Sequence, residues 1–67
     1  MDWDKLKTFH AAAEAGSLTG AADSLLLSQS AVSRQIAALE DTLGVKLFHR
    51  HARGLIPTEP GRLLHEV

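Results

Sequence analysis

The chain has 67 residues, 45 % of them hydrophobic, and a formal net charge of −1, which gives one small globular domain with a modest core and little room for an enclosed pocket. It contains no cysteine, so disulfides and thiolate metal sites are excluded. Its apolar runs are only a few residues long and its start, Met1-Asp2-Trp3-Asp4, lacks a basic head; neither a membrane span nor a secretory leader is expected, and the location is expected to be cytoplasmic.

The small net charge hides an uneven distribution. Acids gather early, at Asp2, Asp4, Glu14 and Asp23, whereas Thr42 to Thr58 holds Lys46, Arg50 and Arg53 with His49 and His51, and no acid. A phosphate senses the charge within about 10 Å, not the total.

Residues 2–15 read as a first helix, with Asp2 as cap, Asp4 at the dipole-positive start and Gly16 as the stop. Leu6, Phe9 and Ala13 point one stripe inward, with Trp3 read as a core or rim aromatic. Ser17 caps a short second helix from Leu18 to about Leu25, whose Ala21, Ala22 and Leu25 form a close-packing face. Gly20 within it costs roughly 0.5–1 kcal/mol relative to alanine. Leu27 is expected in the core and Leu26 on the surface.

Residues 28–43 read as a longer helix with two different faces. Ser28 is its N-cap and Gly44 its left-handed stop. Val32, Ile36, Leu39 and Leu43 form a narrow apolar stripe. Ser30, Arg34, Ala37 and Asp41 fall opposite, with Ser33 on the flank. The exposed face carries small polar groups, one Arg and two Gln, Gln29 and Gln35, while Glu40 and Asp41 wait at the far end. Short side chains allow close approach to a surface, and Gln and Arg can pair with base edges in a major groove. With the short preceding helix and a turn of few residues, this is a helix-turn-helix pattern.

After Gly44 the period changes. Val45 to Arg50 is rich in strand formers, His51-Ala52-Arg53-Gly54 is a turn, and Leu55-Ile56-Pro57 is a second extended segment, together a small antiparallel wing. Leu47 and Phe48 are assigned to the core. Thr58 caps a last helix, with Glu59 suiting its dipole and Pro60 tolerated in its first turn.

From Leu6 to Leu64 the chain resembles the N-terminal DNA-binding domain of LysR-type transcriptional regulators. The resemblance rests on Leu6-x-x-Phe9, Ala13-x-x-Gly16-Ser17-Leu18-Thr19-x-Ala21-Ala22-x-x-Leu25 and Ser28-Gln29-Ser30-Ala31-Val32-Ser33-Arg34-Gln35-Ile36. It continues through Leu39-Glu40-x-x-Leu43-Gly44-Val45-x-Leu47-Phe48-x-Arg50 and Pro57-Thr58-x-x-Gly61. The fold it implies is mainly α: a winged helix-turn-helix with a three-helix core, a two-stranded wing and the start of a linker helix. The DNA-binding domain would span residues 1–57, and residues 58–67 would begin a linker and dimerisation helix cut short here, as in a piece of a longer protein. Gly20, Leu26 and Ser30 depart from the family's usual residues, and Gly20 removes a possible phosphate contact.

The function implied is sequence-specific binding of double-stranded DNA in bacterial transcription regulation, with the recognition helix 28–43 in the major groove and the wing 45–57 at the backbone or minor groove. Gln29, Ser30, Ser33 and Arg34 would address base edges. Thr19, Ser28, Arg50, His51 and Thr58 would meet the backbone, and Arg53 at the wing tip would border the minor groove. The full-length protein would form a homodimer or higher homo-oligomer, and a small-molecule effector would act only through a C-terminal domain outside these residues. No cofactor, metal or catalytic residue is expected in this domain. Of the four histidines, only His49 and His51 are close in sequence, and no acid or cysteine lies near them. An interaction module built on Leu26, Leu63 and Leu64 is the other alternative; concentration-dependent sedimentation distinguishes it.

Overall fold

The computed structural model describes residues 3–52 and 54–66. Among these the order is α1 (Trp3–Ala15), α2 (Leu18–Leu25), α3 (Gln29–Leu43), β1 (Phe48–His51), β2 (Gly54–Pro57) and α4 (Glu59–His65). The expected cap at Asp2 lies outside the described residues.

Local chemistry sets the helix ends. Gly16 takes a left-handed φ of 70° and its N–H closes on the Ala12 carbonyl at 2.9 Å. The Ser17 hydroxyl then accepts from the Gly20 N–H at 3.0 Å and opens α2. A Cβ on Gly20 would stand 2.8 Å from the Ala15 Cβ, so this glycine allows the end of α1 and the first turn of α2 to touch, a structural role in its own right. At the far end of α2, Leu26 adopts φ 58° and the Leu27 N–H reaches back to the Ala22 carbonyl at 2.9 Å. This is a six-to-one closing bond of the Schellman type, with leucine where glycine is usual. The turn leaves Leu26 92 % exposed and Leu27 39 % exposed. Leu27 therefore does not fill the core as expected: it lies past the end of α2, in the closing turn after Leu26, and not on the helix face that Ala21 and Ala22 bury.

The core is Phe9 and Ala12 of α1, Ala21 and Ala22 of α2, Val32, Ile36 and Leu39 of α3, and Leu47 and Phe48 at the entry to the wing. The alanines let the helices approach closely, and the Phe9 and Phe48 rings meet with centroids 5.3 Å apart. Trp3 is 72 % exposed, a rim aromatic. Thr8, buried on α1, donates to the Asp4 carbonyl at 3.0 Å and is hydrogen-bonded to the Gln35 carboxamide of α3.

The two strands pair antiparallel with Phe48 opposite Pro57, Arg50 opposite Leu55 and His51 opposite Gly54. Several contacts among the described residues fasten the wing to the body. The Leu55 N–H donates to the Gly16 carbonyl at 2.9 Å, and a Cβ on Gly54 would stand only 2.4 Å from that same oxygen. The Thr58 N–H donates to the Leu47 carbonyl at 3.0 Å, while Gly61 of α4 packs so close to that carbonyl that a Cβ would lie 2.0 Å from it. Glu40 and Arg50 add side-chain fastenings, described below. On α4, Arg62 hydrogen-bonds Glu59 at 2.6 Å, and that hydrogen bond and its charge hold the Glu59 carboxyl below its ordinary range. Three helices with a two-stranded wing make a winged helix-turn-helix. No helix of the described residues is long and apolar enough to cross a membrane.

Candidate nucleic-acid interface

Helix α3 buries Val32, Ile36 and Leu39 and turns Gln29, Ser30, Arg34, Ala37 and Asp41 to solvent. Its start is held by Ser28, whose hydroxyl accepts from the Ala31 N–H at 3.1 Å and lies 3.3 Å from the Ser30 hydroxyl. Ser28, Gln29 and Ser30 are thus exposed at a helix N-terminus, where backbone N–H groups favour an anion. Arg34 projects one turn further along the same face.

Gln35 departs from the reading of two free glutamines. It is half-buried and hydrogen-bonded to Thr8, so it joins α1 to α3, leaving Gln29 as the exposed carboxamide of this helix.

Side chains alternate along a strand, so Phe48 and Arg50 share the wing face turned to α3. Phe48 enters the core, and the Arg50 guanidinium donates to the half-buried Ser33 hydroxyl. His49 and His51 project from the other face and are exposed. Thr19 is exposed in the first turn of α2. Thr58 is half-buried: its hydroxyl donates to the Lys46 carbonyl at 2.6 Å and accepts from the Gly61 N–H at 3.1 Å. Its one proton is thereby committed within the protein. Arg53 lies outside the described residues.

One functional support was not read from the sequence. Glu40 Oε2 accepts from the Leu47 N–H at 2.7 Å and the Phe48 N–H at 3.4 Å, with its side chain only 12 % exposed. Lys46 Nζ stands 4.0 Å from the other oxygen. A carboxylate on the recognition helix thus grips the backbone that leads into the wing and sets how the two lie together. The available signal was position: Glu40 follows Ile36 by four residues, on the edge of the apolar stripe.

The result is one surface: an uncrowded polar helix face beside a strand carrying Arg50, with Lys46 and the exposed wing histidines nearby. Such a surface suits a polyanion with readable edges.

Comparison with known proteins gives the same picture. Residues 3–62 match the family model described as bacterial regulatory helix-turn-helix protein, lysR family. The chain is 53 % identical over 62 residues to the HTH-type transcriptional activator AmpR of Rhodobacter capsulatus, covering 92 % of this chain and 22 % of that protein. It is also 53 % identical over 57 residues to the glycine cleavage system transcriptional activator of Escherichia coli K12, covering 85 % of this chain and 19 % of the relative. It therefore spans about a fifth of the length of these relatives. Among solved structures it is similar to the CbnR DNA-binding domain in complex with DNA, with TM-score 0.94 and 44 % identity over 98 % of this chain and 76 % of that one. The BenM DNA-binding domain with catB site 1 DNA gives TM-score 0.93 and 38 % identity over 98 % and 74 %. The caps, the recognition helix and the wing described above all fall within the matched region, and the chain belongs to the LysR family of bacterial regulatory helix-turn-helix proteins.

Proposed function

We propose that this domain binds double-stranded DNA sequence-specifically, placing α3 in the major groove and the wing at the backbone or minor groove. The observation that carries the proposal is the joint presentation of Gln29, Ser30 and Arg34 on α3 beside Arg50 on β1, in a fold similar to domains solved with DNA. Gln29 and Arg34 take the base-edge role, with Ser30 and Ser33 beside them. Thr19, Ser28, Arg50 and His51 take the backbone, and Arg53 the groove edge. Thr58 acts there only if it releases Lys46, since its proton is already used.

Residues 1–57 are the DNA-binding unit in this reading, and 58–67 begin the linker helix. The role is regulatory and not enzymatic, which accords with relatives described as transcriptional regulators. The whole protein acts in the cytoplasm as a homodimer or higher homo-oligomer, with any effector bound outside this domain.

The test is discrimination between a duplex selected from a random pool and its scrambled counterpart. Each good bidentate contact is worth about 1–3 kcal/mol of discrimination. Gln29→Ala and Arg34→Ala are expected to keep the fold and lose that preference. Preference retained in both variants overturns the base-reading assignment.

A further inference from the structure

The histidines that matter together are not the pair close in sequence. His10 and Glu14 stand four residues apart on α1 and so share a face, and α4 brings His65 to them. His65 Nε2 lies 3.2 Å from Glu14 Oε1, and His10 Nε2 lies 3.9 Å from that same oxygen. The two imidazoles meet edge to face with centroids 4.9 Å apart. Ligand atoms of all three side chains lie within 4.8 Å of one another. His10 and Glu14 also line a groove walled by α1, by Ser24 and Leu25 of α2 and by Leu64 of α4, which no α3 or wing residue enters.

We propose that His10, Glu14 and His65 form a binding site for a divalent transition-metal ion that ties α4 to α1. Two imidazoles and one carboxylate are a donor set suited to zinc, nickel or copper. Three protein ligands leave a fourth position for water. With metal–ligand bonds of about 2.0–2.1 Å, donor atoms around a tetrahedral ion stand about 3.3 Å apart. The His65–Glu14 spacing of 3.2 Å already meets that, while the His10–Glu14 spacing of 3.9 Å and the widest donor spacing, within 4.8 Å, must close by side-chain rotation. Both His10 and Glu14 are exposed and free to make it.

Imidazole nitrogens and a carboxylate oxygen are the donors offered here, and Lys7, which lines the same groove as His10 and Glu14, is a cation that an incoming ion must tolerate. The wing pair lacks this arrangement, since His10, Glu14 and His65 are the three such side chains that converge among the described residues. The consequence is mechanical. α4 is held at its start by the Thr58 cap and by Gly61 against Leu47, and an ion at His65 would fix its other end.

The probe is Zn²⁺ alone, titrated by calorimetry into the untagged 67-residue chain in a non-chelating buffer, with Co²⁺ absorption reporting the ligand geometry. One equivalent is expected to bind, with tetrahedral Co²⁺ bands. Loss of a supporting partner around a metal site weakens binding about 10–100-fold, so His10→Ala and His65→Ala should each cost at least about tenfold. Glu14→Gln should do likewise, while a His49→Ala, His51→Ala double variant binds as the parent does. Amide spectra of the exposed-site variants establish that they are folded. Absence of saturable binding, undiminished binding in either His10→Ala or His65→Ala, or loss with the wing pair instead, overturns the site.

Discussion

The Arg50 guanidinium on β1 donates a hydrogen bond to the Ser33 hydroxyl on α3, so the wing and the recognition helix meet through two side chains that both belong to the proposed DNA-facing surface. Ser33 taken alone reads as a groove contact and Arg50 as a phosphate contact. Joined, they form one unit in which the helix aims the wing's cation.

That unit predicts coupling. In a double-mutant cycle on duplex affinity, Ser33→Ala and Arg50→Ala should be non-additive by about 0.5–3 kcal/mol. Arg50→Ala should also lower the salt slope by about 0.9, because one phosphate fewer is neutralised. Additive effects, measured by fluorescence anisotropy of a labelled duplex, would show that Ser33 does not seat the guanidinium.

Glu40 makes a prediction about stability and wing placement together. Removing its carboxylate strands the N–H of buried Leu47 and that of Phe48. Hydrogen bonds to charged groups are worth about 1.5–3 kcal/mol, so Glu40→Ala should lose about that much in urea unfolding and shift the amides of residues 47–51. Glu40→Gln, which keeps an acceptor, should recover part of the loss. The exposed Lys46 partner contributes little, so Lys46→Ala should leave the unfolding midpoint nearly unchanged.

Leu26 offers a gain of stability. Its left-handed backbone at φ 58° costs a residue with a Cβ about 1–2 kcal/mol, and its 92 % exposed side chain returns little packing. Leu26→Gly relieves that cost and adds back about 0.5–1 kcal/mol of chain flexibility. A net gain of up to about 1.5 kcal/mol is expected by urea unfolding. A loss would mean that the leucine packs in a way its exposure belies.

Features governed by neighbours in sequence were legible. Ser17, Ser28 and Thr58 accept from N–H groups three residues on, and Gly16 and Gly44 end their helices in left-handed conformations. The apolar stripe of α3 followed from its period, with Val32, Ile36 and Leu39 buried. What escaped depends on partners far along the chain. Gln35 turns inward because Thr8 of α1 faces it; Glu40 meets a backbone seven residues on across a turn; His65 meets Glu14 from 51 positions away. Leu27 escaped for a local reason, since nothing in the residue type announces that leucine will take a left-handed turn at Leu26.

The most direct measurement is the amide-shift map of the labelled chain titrated with a selected duplex and its scrambled form at two salt concentrations. Shifts clustered on residues 28–38 and 49–54, stronger with the selected duplex and shrinking with salt, are the predicted result. Silence there, with changes around Leu26 or Leu63 that grow with protein concentration, would contradict DNA binding and leave a self-association module in its place.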